Sequence, residues 1–473
     1  MTRFFGLRGS RLNHVALLGV VMPAIVSMGY NQGLLGGVLT LPYFEAQFPE
    51  IDVSNAQPSE KHYKSTLRGT VVALYSVGGF LGAIACIAVG LGTGAQLATA
   101  PIWQSEISPA AKRGAHVATI GIFAGTGLTL GLLVDLGMSY VPNSASWRVP
   151  VGLPIILCII VIVFTCQMPE SPRWLVRQGQ VSAAREVFAA LRDAEIHSEM
   201  VNKEILDVES SLAIAGKGTL RQIFQMGHQR IFHRASLATG GLILLQLTGV
   251  NSITFYSTTI FQTNLQLDST TSRILAVIYQ FCGVIGGIIC VYTIEGFGRR
   301  FVWLSSAATN TIAMTLVAAL SSQSTNTVAM HAAAVFIFFF HISMIAGFGG
   351  IPFLYASEVA PLSLRTTING IGSSLYWALS VLIAEVTPIA FNAIGWKYFL
   401  IFACLNFLMI PVIYLFYPET SGMSLEDIDE VFIMSTGWLD TVHVAKQLPQ
   451  KLDGRQPEGD CPLENKDNGA PKI

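Results

Sequence analysis

The sequence predicts an all-α integral membrane protein, about ten spans arranged as two related helical halves. Three observations carry this. Charged residues make up 12% of the 473 positions against 52% hydrophobic, and mean hydropathy is +0.54, whereas a soluble chain carries roughly 25% charge. The charges are bunched between long apolar runs, the pattern of a chain that crosses a bilayer repeatedly. A charged motif also recurs at almost one offset along the chain. Two or three soluble domains would fit the length but not the charge. A net charge of −1 leaves no electrostatic footprint for nucleic acid. Cys86, Cys158, Cys166, Cys282, Cys290 and Cys404 sit inside apolar runs and Cys461 in a polar tail. They read as packing residues, not as a disulfide framework or a metal site.

Taken in order, residues 1–13 are polar and basic (Arg3, Arg8, Arg11), and no small-residue cleavage site follows the first apolar run. That run reads as a start-transfer span and not as a removable leader. Runs long enough to cross, at about 20 residues per crossing, lie at 14–40, 67–104, 115–138, 149–167, 236–262, 273–294, 301–320, 329–356, 369–393 and 397–417. The expected division is a first helical half at 1–167, a linker with short helices at 168–235, a second half at 236–417 and a tail at 418–473. Basic residues favour the cytosolic ends of spans. With a cytosolic N-terminus, Lys112, Arg113, Arg173, Arg177, Arg299, Arg300 and Arg365 fall inside. Glu45, Glu50, Asp52, Glu60 and Asp268 fall outside, together with Lys61, Lys64, Arg68, Arg148 and Arg273. Both termini are then cytosolic.

The repeat is the strongest internal signal. Ser105-Glu106-Ile-Ser-Pro109-Ala-Ala-Lys-Arg113 and Ser357-Glu358-Val-Ala-Pro361-Leu-Ser-Leu-Arg365 share Ser-Glu-x-x-Pro-x-x-x-Arg, and Pro169-Glu170-Ser171 is echoed by Pro418-Glu419-Thr420. The offsets are 252 and 249. Two parallel halves, each placing the same charged cluster on one membrane face, is the plan of the major facilitator transporters.

Within that plan the chain resembles the sugar porter family of the major facilitator superfamily, in its fungal branch. Pro169-Glu-Ser-Pro-Arg-Trp-Leu175 matches the signature after the sixth family helix, and Gly298-Arg-Arg300 the loop after the eighth. Gln246-Leu-Thr-Gly-Val-Asn251 is similar to the seventh-helix sugar motif, and Pro418-Glu-Thr with Ser424-Leu-Glu-Asp-Ile-Asp429 to the C-terminal signature. The resemblance implies the major facilitator fold, two pseudo-symmetric halves, with about ten spans here where the family has twelve. The shortfall is local. Thr270 to Ser357 spans 88 positions and three spans, whereas the matching stretch from Thr70 to Ser105 has 36. Ala83-Ile-Ala-Cys-Ile-Ala-Val-Gly90 runs straight into Leu91-Gly-Thr-Gly94, as if roughly 50 residues around the third family helix were absent. As one straight helix, run 67–104 would be about 57 Å long, so it is expected to tilt or to break near Gly90–Gly94.

Sugars present hydroxyls, so a site for them needs uncharged amides and an aromatic face near mid-membrane. Gln246 and Asn251, five positions apart, sit about 140° apart around a helix and are expected to flank a lining face. An amide in lipid is costly, so both should face an interior cavity; the plainer alternative is a hydrogen bond to a neighbouring helix. From the resemblance, Trp377 stands where the family keeps a tryptophan under the sugar ring, and Phe255 and Tyr256 form the aromatic pair of an outer gate. Ordinary packing or lipid contact is the alternative for each. Leu245, Gly121 and Ser380 replace family amides and Phe353 a frequent tryptophan, which makes the site less polar. Asn31, in Gly29-Tyr-Asn-Gln-Gly33, occupies the position where proton-coupled members carry an aspartate, and an asparagine cannot titrate. Facilitated diffusion is therefore favoured over symport, with a proton as the alternative co-substrate. Glu385 is an intramembrane acid read as facing the outer vestibule, and Asp135 lies near a span end.

The cytosolic charges read as a conformational lock that breaks when the inner side opens; the alternative is a solvated anchor. Glu358 is expected on Arg299 or Arg300, with Glu295 beside them, and Glu419 on Arg365. Glu106 is expected near Arg113, Glu170 and Arg173. The nine histidines show no ligand spacing, no nucleophile–base arrangement or phosphate loop occurs, and His341 reads as a packed polar residue. The whole reads as a monomeric carrier of a sugar or related polyol in the lipid bilayer of the plasma membrane, not an enzyme, with no cofactor, no metal and no nucleic-acid partner. Two alternatives stay open. One is a non-transporting nutrient sensor, against which the 56 residues after Tyr417 are short. The other is a non-functional shortened splice or gene-model product.

Overall fold

The computed structural model describes residues 6–51, 60, 63–70, 72–73, 99–100, 103–104, 106–108, 113–215, 220–264, 267–323, 325–361, 363–423 and 425–453. Among them the regular structure is helical, with no strand. Nine described helical stretches are long and apolar enough to cross a membrane: Gly9–Leu34, Thr119–Met138, Ala145–Thr165, Ile231–Gln262, Ser269–Phe297, Arg299–Ser321, Thr327–Val359, Arg365–Ile394 and Lys397–Phe416. Nine of the ten expected runs thus reappear. The tenth, 67–104, and its junction at Gly90–Leu91 lie mostly outside the described residues.

The helices that build the site are α1 (Met22–Val38), α2 (Arg113–Met138), α3 (Ile231–Leu247), α4 (Val250–Thr259), α5 (Ser269–Phe297), α6 (Arg299–Ser321), α7 (Thr327–Phe348), α8 (Ile351–Val359), α9 (Arg365–Ile394), α10 (Lys397–Phe416) and α11 (Leu425–Met434). Both copies of the repeat place their arginine, Arg113 or Arg365, as the first residue of a long helix. The N-terminal segment docks on the linker, Arg8 donating to the carbonyls of Ala189 at 2.9 Å and Ala194 at 2.6 Å. This marks a near face, which also carries Glu106, Arg299 and Arg365; the opposite, far face carries the ends of α1 and α2.

In the first half α1 and α2 touch backbone to backbone. A methyl added at Gly29 or Gly33 would lie 2.2 Å from the Ala124 carbonyl oxygen or 2.5 Å from that of Leu128. At Gly127 or Gly131 it would meet the Val26 or Tyr30 carbonyl at 2.2 or 2.7 Å. Lipid gives helices no hydrophobic drive to associate, so such close packing of small residues is what holds them. The 154–165 helix instead turns Ile155, Ile156, Ile159 and Ile162 outward, the apolar exposure expected of a lipid-facing surface.

The halves meet along two seams. On one, Gly125 of α2 faces Gly283 and Val284 of α5, and Gly287 faces Ile122. On the other, Gly69 lies against Glu385 of α9, and Asn392 Nδ2 donates to Ser65 Oγ at 3.0 Å.

The helix α3 begins at Ile231, earlier than the apolar run at 236. The helix continues through His233 and Arg234 because their polar groups are enclosed. Arg234 Nε donates to the Val359 carbonyl at 2.7 Å, and Nη2 pairs with Asp429 of α11. The His233 ring packs 4.1 Å from Trp438. The tail therefore folds back as helix against the near face.

Candidate functional site

The central polar cluster begins with a break in a helix. α3 ends at Leu247, and Gly249 takes φ of +90°, a conformation that an L side chain resists. A methyl there would also lie 2.5 Å from the Phe402 ring. α4 restarts at Val250 in a new direction. Gln246 and Asn251 therefore do not flank a continuous face as expected; they touch. Asn251 Nδ2 donates to Gln246 Oε1 at 2.8 Å and to Ser380 Oγ of α9 at 3.2 Å, while Gln246 Nε2 donates to the Tyr376 carbonyl at 2.9 Å. The 140° estimate fails because it assumes uninterrupted helix.

Trp377 is fully buried on α9, next to Tyr376 and enclosed in the protein rather than at an interface. Phe255 and Tyr256 are buried as well, which removes the lipid-facing alternative, and Tyr256 Oη donates to the Ala384 carbonyl at 2.9 Å. Asn31 is half-buried on α1. Its neighbour Gln32 is buried and, unlike Asn31, reaches the cluster, coming within hydrogen-bonding range of the Tyr376 hydroxyl, as does Asn251. Glu385 is half-buried where Gly69 approaches α9.

A third glutamine is buried on α5. Gln280 of α5 is fully buried, and neither its Nε2 nor its Oε1 has a partner. It lies seven residues, about two turns, from Arg273 and on the same stripe as Val284 and Gly287, the residues that face α2. It therefore points into the seam between the halves. The signal that singled out Gln246 and Asn251, an amide inside an apolar run, also marks Gln280 within 273–294; Gln32 carries the same signal beside Asn31.

On the near face the charged residues form two groups. In the first half Ser171 Oγ donates to Glu106 and accepts from the Trp174 amide at 3.2 Å, capping the 172–177 helix. Glu106, Glu170, Arg173, Trp103 and Trp174 line a cavity of about 230 Å³, and Arg365 of the second half lines it too. The side chain of Arg113 lies outside the description. In the second half Arg299 bonds Glu358 at 3.3 Å, Glu295 at 3.3 Å and Ser421 Oγ at 2.7 Å, and Thr420 Oγ1 donates to Glu358 at 2.7 Å. Glu419 goes elsewhere than expected. It accepts the backbone N–H groups of Arg299 at 2.9 Å and Arg300 at 3.0 Å, at the start of α6. A helix N-terminus offers unpaired donors and a partial positive charge, which suits a carboxylate. Arg300 lies over the Tyr414 ring at 4.9 Å, and Arg365 Nε reaches the Ala360 carbonyl at 3.4 Å.

The family described as "Sugar (and other) transporter" matches residues 84–432. The sugar transporter STL1 of Saccharomyces cerevisiae is 28% identical, over 91% of this chain and 83% of its own length. The high-affinity glucose transporter ght5 of Schizosaccharomyces pombe is 27% identical, over 95% of this chain and 93% of its own. Among solved structures, the proton:xylose symporter XylE bound to 6-bromo-6-deoxy-D-glucose superposes with a TM-score of 0.70 at 17% identity, over 89% of this chain and all of that one.

Proposed function

The chain belongs to the sugar (and other) transporter family, and from that premise we propose that it carries a sugar or related polyol across a membrane by alternating access. The observation that carries the reading is the buried amide cluster where the halves meet. Gln246 and Asn251 satisfy each other and α9, while both polar atoms of Gln280 have no partner. Unpaired amides in a dry interior are costly, and a polyhydroxylated solute offers the donors and acceptors that would relieve them. The substrate contacts are Gln246, Asn251, Gln32 and Gln280, with Trp377 as aromatic wall and Phe255 and Tyr256 as outer gate. Asn31 lies at the edge of this group.

Residues 1–167 and 236–417 act as the moving halves, 168–235 as their link, and the near face is cytosolic, with both termini there. The plasma membrane is the expected location and the monomer the working unit. The Arg299–Glu358–Glu295 group and the Glu106–Glu170–Arg173 cavity with Arg365 hold the near face closed and part when it opens. Because Asn31 cannot titrate, the transport step is facilitated diffusion. The STL1 alignment runs over 480 positions yet draws on 91% of this 473-residue chain, which agrees with a chain that lacks residues its relative has.

The test is uptake of labelled glucose, xylose and sorbitol by transporter-deficient yeast expressing this chain. A parallel strain carries a family-like segment inserted after Gly90, and a protonophore serves as control. Saturable, protonophore-insensitive uptake by the chain as it stands is the expected result. Transport by the lengthened form alone would make this chain a non-functional shortened product, and transport by neither would favour a sensor.

A further inference from the structure

The glycine ladder of the first half ends in an acid. Gly29, Gly33 and Gly37 follow one another at four-residue spacing on α1, and Gly127, Gly131 and Asp135 do so on α2. Where the next small residue would stand, a carboxylate enters the seam. A methyl at Gly37 would lie 2.0 Å from Asp135 Oδ2 and 2.7 Å from its Cβ, so the missing side chain of Gly37 makes the space the acid fills. Asp135 is 3% exposed, and neither oxygen has a hydrogen-bond partner.

The groups around it are few. Arg273 of α5, in the other half, lies within charge–charge range of Asp135 while its Nη2 donates to the Thr40 carbonyl at 2.5 Å. Glu45 and Tyr140 lie within range of Arg273. On α1 Tyr30 lies within electrostatic range of Asp135, and its hydroxyl donates to the Pro150 carbonyl at 3.1 Å. Arg68 is engaged by the Leu39 carbonyl at 3.3 Å, and Arg148 is exposed over Trp147.

We propose that Asp135 is a proton-binding site at the far-face end of the α1–α2 contact, beside Arg273 of the other half, protonated while the far face is closed and ionised when it opens. This rests on the alternating-access reading, in which the far face is the outer one. A carboxylate buried without hydrogen bonds is strongly disfavoured in its charged form. The guanidinium across the seam offsets part of that cost, so hydration of the seam decides the balance. Opening the far face parts the end of α2 from the start of α5, which belong to different halves, and lets water reach the acid. The acid then gives its proton to external water, and the carboxylate takes one back from external water as the seam closes. No proton crosses the membrane, so the site makes the gate sensitive to external acid without making the carrier a symporter. Acid favours the closed seam.

The test uses the full chain in detergent with Ser65→Cys, whose native hydroxyl is buried against Asn392 in the second seam between the halves and so reports opening of the far face. The rate of maleimide labelling is measured from pH 5 to pH 8, corrected for the native cysteines. It is then divided by the rate for the same chain carrying Asp135→Asn. The corrected ratio is expected to rise roughly threefold or more towards pH 8, a modest population shift. Arg273→Gln is expected to move the midpoint up by about one pH unit or more, since a neighbouring cation favours the ionised acid. A ratio that stays flat, or a position that is never labelled, overturns the proposal. If Asp135→Asn does not fold, an unmoved midpoint in Arg273→Gln overturns it. Sugar uptake without this switch sinks the proton site alone; the switch without uptake of any tested sugar sinks the transport reading alone.

Discussion

Replacing Gly249 by alanine should damage both stability and solute affinity, and the size of the effect follows from two contacts. At φ of +90° an L residue carries a strain of roughly 1–2 kcal/mol. The new methyl would lie 2.5, 2.6 and 2.9 Å from three Phe402 ring atoms, so the ring must retreat by about 1 Å to reach ordinary contact. Overpacking of this kind costs about 1–3 kcal/mol, for a total of about 2–5 kcal/mol. The chain can escape by straightening the break, but Gln246 and Asn251 then separate and their 2.8 Å hydrogen bond is lost, as is the bond of Asn406 Nδ2 to the Thr248 carbonyl at 3.0 Å. Thermal unfolding of the purified protein should show a fall in Tm of several degrees, and uptake of the best sugar a raised KM. Gly249→Asn separates the causes, because asparagine tolerates positive φ better than alanine and keeps the clash. Unchanged Tm and KM in Gly249→Ala would refute the idea that this break shapes the site.

Gln280→Leu removes an amide with no partner, so Tm should hold or rise while KM increases about tenfold, the loss of one hydrogen bond in a dry site; an unchanged KM takes Gln280 out of the binding surface. Arg299→Gln leaves Glu358 without its cation in a place where both side chains are under a tenth exposed. It should cost about 3–5 kcal/mol in unfolding measurements, and adding Glu358→Gln should return part of that. Asp268 accepts from the hydroxyl and amide of Thr271, which hold its carboxyl below the ordinary aspartate value. A depressed carboxyl stabilises above the unfolded-chain value and loses that contribution as pH falls through the folded one. Amide exchange in the first turn of α5, corrected for its intrinsic rate, should therefore quicken only below about pH 4, and Asp268→Asn should abolish that dependence.

The spans were legible because an apolar run of crossing length has few other uses, and the repeat was legible because both copies of Ser-Glu-x-x-Pro-x-x-x-Arg open a helix on their arginine. What escaped the sequence depends on local breaks and on partners distant along the chain. Gln246 and Asn251 were recognised as polar residues facing an interior, but their contact needs the turn at Gly249, which helical periodicity cannot register. The first turn of α3 is invisible to the apolar pattern because Arg234 reads as a charge outside the membrane until Asp429, 195 residues away, is seen to meet it. In the sequence Glu419 reads as the partner of an arginine because a pattern pairs charges with charges, whereas the start of α6 offers backbone donors that carry no mark in the sequence. Gln280 needed only the amide rule already used for its neighbours.

The contact between α1 and α2 also sets how freely this protein can vary. Gly29, Gly33, Gly127 and Gly131 each meet main-chain atoms well inside normal separation, whereas a methyl at Gly137, Gly152 or Gly296 would touch nothing within 4 Å. Main chain cannot step aside as a side chain can. A saturation library should therefore split these glycines into two classes, four that accept no replacement and three that accept many, although all seven look alike as letters in a hydrophobic text.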